Sequence, residues 1–191
     1  FRLGIRSVTM DDIAAQVGMS KKTLYQHFAD KDELVDDLVY GEIGVMQKET
    51  VECINSSANA IEEIFISMDM ANRHFTKMNP MLLFDLHKFH FKSFQKFMDH
   101  KNTFLIKIIT DNLKRGIAEG LYRADTRVDI IAKYRLQMLM LPFDMEDYPP
   151  MQYNLMDVSN AMIENFLYGL ATERGYQLIE KYKIERNNNE Q

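Results

Sequence analysis

Val8-Thr9-Met10-Asp11-Asp12-Ile13-Ala14-Ala15-Gln16-Val17-Gly18-Met19-Ser20-Lys21-Lys22-Thr23-Leu24-Tyr25-Gln26-His27-Phe28 is the stretch on which the interpretation of this chain turns. Its punctuation is that of two short helices joined by a tight turn. Thr9 is placed to accept from the Asp12 amide, and Asp11 and Asp12 occupy the positive first turn. Ile13, Ala14 and Val17 form the expected inward face. Gly18 sits where the chain must reverse with φ above zero, and Ser20 caps the second helix. At about 100° per residue, Leu24 and Phe28 define the buried side of that helix. Lys22 and Gln26 point nearly opposite, with Thr23 and Tyr25 on the flanks. A helix-turn-helix is the expectation. The outward face carries a cation, an amide, a hydroxyl and a phenol, all able to donate to phosphate oxygens or base edges. A merely solvated face could carry the same residues; the turn from Ala14 to Gly18 tips the reading.

Continued to Leu34, the stretch acquires a more specific pattern. Thr9 to Leu34, and above all Ser20-Lys21-Lys22-Thr23-Leu24-Tyr25-Gln26-His27-Phe28-Ala29-Asp30-Lys31, resembles the DNA-binding domain of TetR-family transcriptional regulators. The resemblance is strong over roughly the first quarter of the chain and rests elsewhere on length and helical character. It implies an all-α protein with an N-terminal helix-turn-helix DNA-binding domain (1–50) and a C-terminal helical ligand-binding and dimerisation domain (51–186). In the family a further helix precedes this point, so a chain opening at Phe1 is expected to lack most of it. The implied function is that of a ligand-responsive dimeric regulator, usually a repressor, released from a palindromic operator by a small, apolar effector. The rival reading is a helical small-molecule-binding protein with no DNA role. Retention of Thr23, Tyr25, His27 and Lys31 speaks for the regulator.

Composition agrees with an all-α class: 191 residues without Trp and poor in Gly and Pro, with apolar residues at helical spacing. The net charge of −5 provides no global attraction to nucleic acid, so affinity must come from local placement. Cys53 is the sole cysteine, which excludes an internal disulfide and a cysteine-rich zinc site and suits the cytoplasm. Apolar runs such as 136–143 are too short to span a membrane. His87 and His90 beside Asp85 lack further metal ligands at a convincing spacing. No P-loop, G-x-S-x-G or G-x-G-x-x-G is present, so neither an enzyme nor a cofactor is expected.

The DNA contacts divide by angle and by resemblance. Lys22, Thr23 and Gln26 are expected at base edges. Tyr25, His27, Thr9 and Lys31 are expected at phosphates, with Lys21 able to reach either and Ser20 at the helix start. Asp30 and Glu33 form an expected capping box opening a long helix to about residue 54, with Leu34, Val35, Leu38, Val39, Val45 and Met46 as its stripe. Gly41 and Gly44 in its middle suggest a tight helix crossing rather than a hinge. Helices are expected at 58–78, 81–98 (opened by Pro80), 101–118, 127–141, 156–173 and 176–183, with a loop at 142–150 and a disordered tail from Asn187. Aromatics and methionines are dense from residue 65 onward, which suits either a plain core or an adaptable apolar pocket. The resemblance favours a pocket, with Phe65, Met68, Phe84, Phe91, Phe94, Phe104 and Met138 as candidate lining. It also implies pairing of the C-terminal helices between two subunits as a four-helix bundle, with Tyr134, Ala161, Met162, Phe166, Gly169 and Leu170 as candidate seam residues.

Overall fold

A computed structural model describes residues 4–76, 78–79 and 81–189. Helices α1 (Met10–Gln16) and α2 (Lys21–His27) lead into α3 (Lys31–Ser56), followed by α4 (Ala60–Phe75), α5 (Leu82–Phe89) and α6 (Phe91–His100). A π turn at Lys101–Leu105 joins α6 to α7 (Ile106–Ala118). Then come α8 (Val128–Met138), a 3-10 turn at Leu141–Phe143, α9 (Leu155–Leu170) and α10 (Glu173–Asn189). The fold is all-α; among the described residues the one β contact is an isolated bridge between Tyr122 and Ala171.

Local chemistry sets the first boundaries. The Thr9 hydroxyl accepts from the Asp12 amide at 3.2 Å, and the Asp12 carboxylate accepts from the Thr9 amide at 2.8 Å. Gly18 turns the chain at φ +70°, and Ser20 caps α2 by accepting from the Thr23 amide at 3.0 Å. At the start of α3, Asp30 accepts from the Glu33 amide at 2.9 Å. Glu33 reaches back to the Ala29 amide at 2.6 Å, one residue earlier than a capping box requires. The inward face of α1 is Met10 and Ala14 with Ile13 packed against them, whereas Val17 is 55% exposed because the helix has already ended there.

Later boundaries depend on tertiary contacts. The helix expected over 81–98 breaks at His90 (φ −135°, ψ 56°), and α6 continues through the π turn into α7, so no separate helix starts at 101. Pro80 lies outside the described residues. In α3, Leu38 and Val45 are exposed while Leu34, Val35 and Val39 are buried, because neighbouring elements cover only a narrow stripe of so long a helix. Nothing lies within 4 Å of a Cβ built at Gly41 or Gly44, which overturns the tight crossing expected there. The last helix is longer than 176–183 and runs to Asn189, through residues expected to be disordered.

Three apolar clusters organise these helices. Met10, Ala14, Leu24 and Leu34, with Phe28 packed on them, hold the head together. Ile5, Val35, Val39, Leu82 and Leu86 form the junction between head and body. The body core joins α4, α7, α8, α9 and α10 through residues including Ile61, Leu113, Leu121, Leu167 and Ile179. Among the described residues no helix is long and apolar enough to cross a membrane.

Candidate functional site

On the head, Lys22 and Gln26 project from α2 opposite the buried Leu24, and Tyr25 and His27 are exposed beside them. The remaining predicted contacts already have partners within the chain. Thr9 and Ser20 are spent on caps, and the Thr23 hydroxyl lies 2.7 Å from that of Ser20. Lys21 Nζ stands 2.9 Å from Asp11 Oδ1, tying α2 to α1, and 6.0 Å from the centre of the Tyr25 ring. Lys31 is half-buried and donates to the Ile5 carbonyl at 2.6 Å, so it anchors the segment before α1 in addition to any outward role.

The body encloses a cavity of about 520 Å³ bounded by α3 to α9, the π turn and the 3-10 turn. That is within the usual range for small-molecule sites. Of the seven predicted lining residues, only Met68 is on its wall. Phe65 packs against Tyr182 with ring centres 5.8 Å apart, and Met138 is buried in the body core. Phe104 stacks on His100, Phe94 packs into the junction, and Phe84 and Phe91 are exposed. The wall is formed instead by residues such as Met70, Leu86, Phe97, Ile109 and Leu139. Aromatic density located the right region, but helix rotation chose the residues, and no local signal carries that rotation.

The predicted seam divides too. Tyr134, Ala161 and Gly169 are exposed on α8 and α9, and Met162 is half-buried. Phe166 and Leu170 are only 6% and 3% exposed and pack into the core of this subunit, and with Tyr134 and Gly169 they line a groove between α8 and α9. The two histidines serve different contacts. His87 packs on the Phe94 ring, and His90 Nδ1 lies 2.6 Å from Asp32 Oδ1 at the start of α3.

Head and body meet through α5. Leu82 and Leu86 both line the cavity and pack in the junction cluster. Between them, Asp85 is buried and accepts from the backbone amides of Ile5 at 3.2 Å and Arg6 at 3.4 Å. Asp36 on α3 adds a second polar link, 2.8 Å from Lys96 Nζ and 3.0 Å from Lys92 Nζ; these ammonium groups hold its carboxyl below the usual carboxylate range.

Residues 2–38 match the family described as bacterial regulatory proteins, tetR family. Over 134 residues, 69% of this chain and 67% of the relative, the sequence is 28% identical to the transcriptional repressor KstR2 of Mycobacterium tuberculosis. Over residues 2–38 the sequence is that of a TetR-family regulator. That segment and the repressor relatives support a DNA-binding transcriptional regulator. Its fold matches the solved structure of M. tuberculosis KstR2 with a TM-score of 0.59 at 24% identity, covering 88% of this chain and 87% of that one. It also matches a transcriptional regulator from Cytophaga hutchinsonii (TM-score 0.65, 21% identity, 88% and 91% covered). A third match is FadR from Bacillus subtilis in complex with stearoyl-CoA (TM-score 0.63, 17% identity, 87% and 90% covered).

Proposed function

We propose that this TetR-family protein is a cytoplasmic dimeric repressor that leaves a palindromic operator when a small, apolar effector enters the body cavity. The observation that carries this reading is that α5 serves two sites: Leu82 and Leu86 face the cavity while Asp85 holds the amides of Ile5 and Arg6. An occupant that moves α5 by a fraction of an ångström must move or release the segment that Lys31 also grips. The head is thereby re-aimed. A ligand shifts such an equilibrium only by its differential affinity for the two states, and a cavity wall that includes the coupling helix supplies that difference. The related FadR is bound to stearoyl-CoA and the related KstR2 is named a ketosteroid regulator, which supports a large apolar effector here.

The proposed domains divide near residue 50, within α3, so motion passes along a continuous helix. Pairing of two subunits uses the exposed side of α8 and α9, where Ile130 and Tyr134 face outward and Ala161, Asn165 and Gly169 repeat every four residues. Two recognition helices related by a twofold axis read a palindrome where one would read too few bases.

Lys22 and Gln26 are assigned to base edges, and Tyr25 and His27 to phosphates, with Thr9, Ser20, Lys21, Thr23 and Lys31 supporting them. Gln26→Ala is expected to cost about 1–3 kcal/mol on the operator and little on random duplex, because an amide pairs specifically with adenine. The protein's upstream DNA and a random duplex, titrated by fluorescence anisotropy across a salt series, test this. Equal losses on both duplexes mean that Gln26 does not read a base.

A further inference from the structure

The cavity wall carries more charge than an apolar ligand would require. Five of its side chains are formally charged at neutral pH, and three of these are accounted for. Glu63 is held by Arg115 Nη1 at 3.0 Å, Glu42 is exposed to solvent, and Arg73 shares Glu49 with the neighbouring His74. The other two are Arg135 and Lys101, only 8% and 4% exposed. Among the described residues neither side chain makes a hydrogen bond or an ion pair. The Arg135 guanidinium carbon lies 5.5 Å from the centre of the Phe166 ring. Burial drags the Arg135 pKa down to about 10, which still leaves it charged at neutral pH.

An isolated charge in such surroundings is costly and ordinarily acquires a partner. Lys101 is delivered by the π turn that interrupts the helix running from Phe91 to Ala118. Single π turns of this kind recur at functional sites. Two independent elements, α8 and the π turn, therefore each turn an unpaired cation into one apolar chamber. Resting on the reading of this chamber as the effector site, we propose that the effector is an amphiphilic acid whose anionic group is bound by Arg135, with Lys101 adding a second positive charge. A guanidinium presents parallel N–H donors that match a carboxylate or a phosphate, so it is the anchor; the ammonium acts as a point charge. The rest of the wall receives the apolar body.

The experiment titrates the full chain by calorimetry with two probe series of matched shape. One is hexadecanoate, hexadecyl phosphate and hexadecanol; the other is a steroid carboxylate and the corresponding steroid alcohol. Wild-type protein is expected to bind the anion of at least one series roughly 10- to 100-fold more tightly than the neutral member, the value of a charge-assisted hydrogen-bonded pair. Arg135→Met should abolish that preference while retaining affinity for the alcohol. Arg135→Lys should restore part of it, and Lys101→Met should reduce it less. Carboxylate against phosphate distinguishes a free acid from a phosphorylated amphiphile.

A second readout needs no ligand: Arg135→Met should raise the Tm of the free protein, because it replaces an unpaired buried charge with an apolar side chain of similar length. A lowered Tm would mean that Arg135 is a structural residue and would overturn the proposal. So would equal binding of acid and alcohol by the wild type, which leaves the apolar effector site standing. Loss of preference in Lys101→Met alone would overturn the assignment to Arg135. If no member of either series binds, charged or neutral, the effector-site reading fails and this one with it.

Discussion

Two arginines on successive helices separate the two ends of the body. Arg115 on α7 is fully engaged: it donates to the Ser57 hydroxyl and carbonyl at 2.8 and 2.9 Å, to Glu63 at 3.0 Å and to Glu119 at 2.7 Å. Around it, Asn112 donates to the Ala60 carbonyl and Glu119 accepts from the Ala60 amide, so the start of α4 is satisfied by side chains. Close by, the backbone is packed until no methyl fits: a Cβ on Gly116 would lie 2.0 Å from the Tyr122 ring, and one on Gly175 would lie 2.2 Å from the Leu121 carbonyl oxygen. Arg135 on α8 is buried and, among the described residues, has no hydrogen-bond or ion-pair partner, beside a chamber of about 520 Å³. Helices α4, α7 and α9 contribute to both ends. Helix packing alone does not make a binding site; one end completes its hydrogen bonds and contacts internally, and the other leaves both incomplete.

The largest effect is expected at the packed end. Arg115→Met strands the Glu63 carboxylate in the interior and should cost about 3–5 kcal/mol. Urea denaturation measures it, and a loss comparable to that of an exposed pair would show the network to be ornamental. Gly116→Ala comes next at about 3 kcal/mol, since the Tyr122 ring must be displaced from a site with no free volume. At the other end, Asp85→Ala removes the acceptor of two backbone amides and should cost about 1–3 kcal/mol. It should also reduce the effector's influence on operator affinity without weakening effector binding; unchanged coupling would remove α5 from the relay. A smaller effect is expected from Ile109→Phe, which adds volume into empty space. Stability should change by under about 1 kcal/mol where an equal addition to a packed core costs more, while effector binding should be lost. Calorimetry on this variant checks both halves.

The smallest effect is a pH slope. Burial lowers the pKa of His100, a cavity-wall residue, below its ordinary 6.5. The folded state therefore resists protonation, and the stability contributed by neutral His100 is complete above 6.5 and is lost as pH falls through the folded value. His100→Gln should flatten that part of the urea-midpoint profile between pH 7 and 5, whereas Tyr122→Phe at the packed end should not change it.

The head was legible because its determinants are local. Thr9 and Asp12, Gly18, and Ser20 and Thr23 interact within a few residues, and the chain folds there as their chemistry dictates. Even so, Val17 and Leu38 face solvent and Lys31 turns inward to Ile5, because periodicity says which side of a helix is apolar and not whether another element covers it. The body was legible only as a set of helices. Phe166 and Leu170, read from sequence as seam residues, pack into the core of their own subunit.

Sequence alone was therefore enough for the all-α class, the helix-turn-helix with its caps, and the identity of the outward residues Lys22 and Gln26. Those rest on hydrogen bonds and side-chain angles within one or two turns of helix. The break at His90, the cavity wall, and the contrast between Arg115 and Arg135 came from tertiary packing. They depend on how each helix is rotated against partners tens of residues away, and such rotation is set by the packing of the whole body rather than by any short stretch of chain.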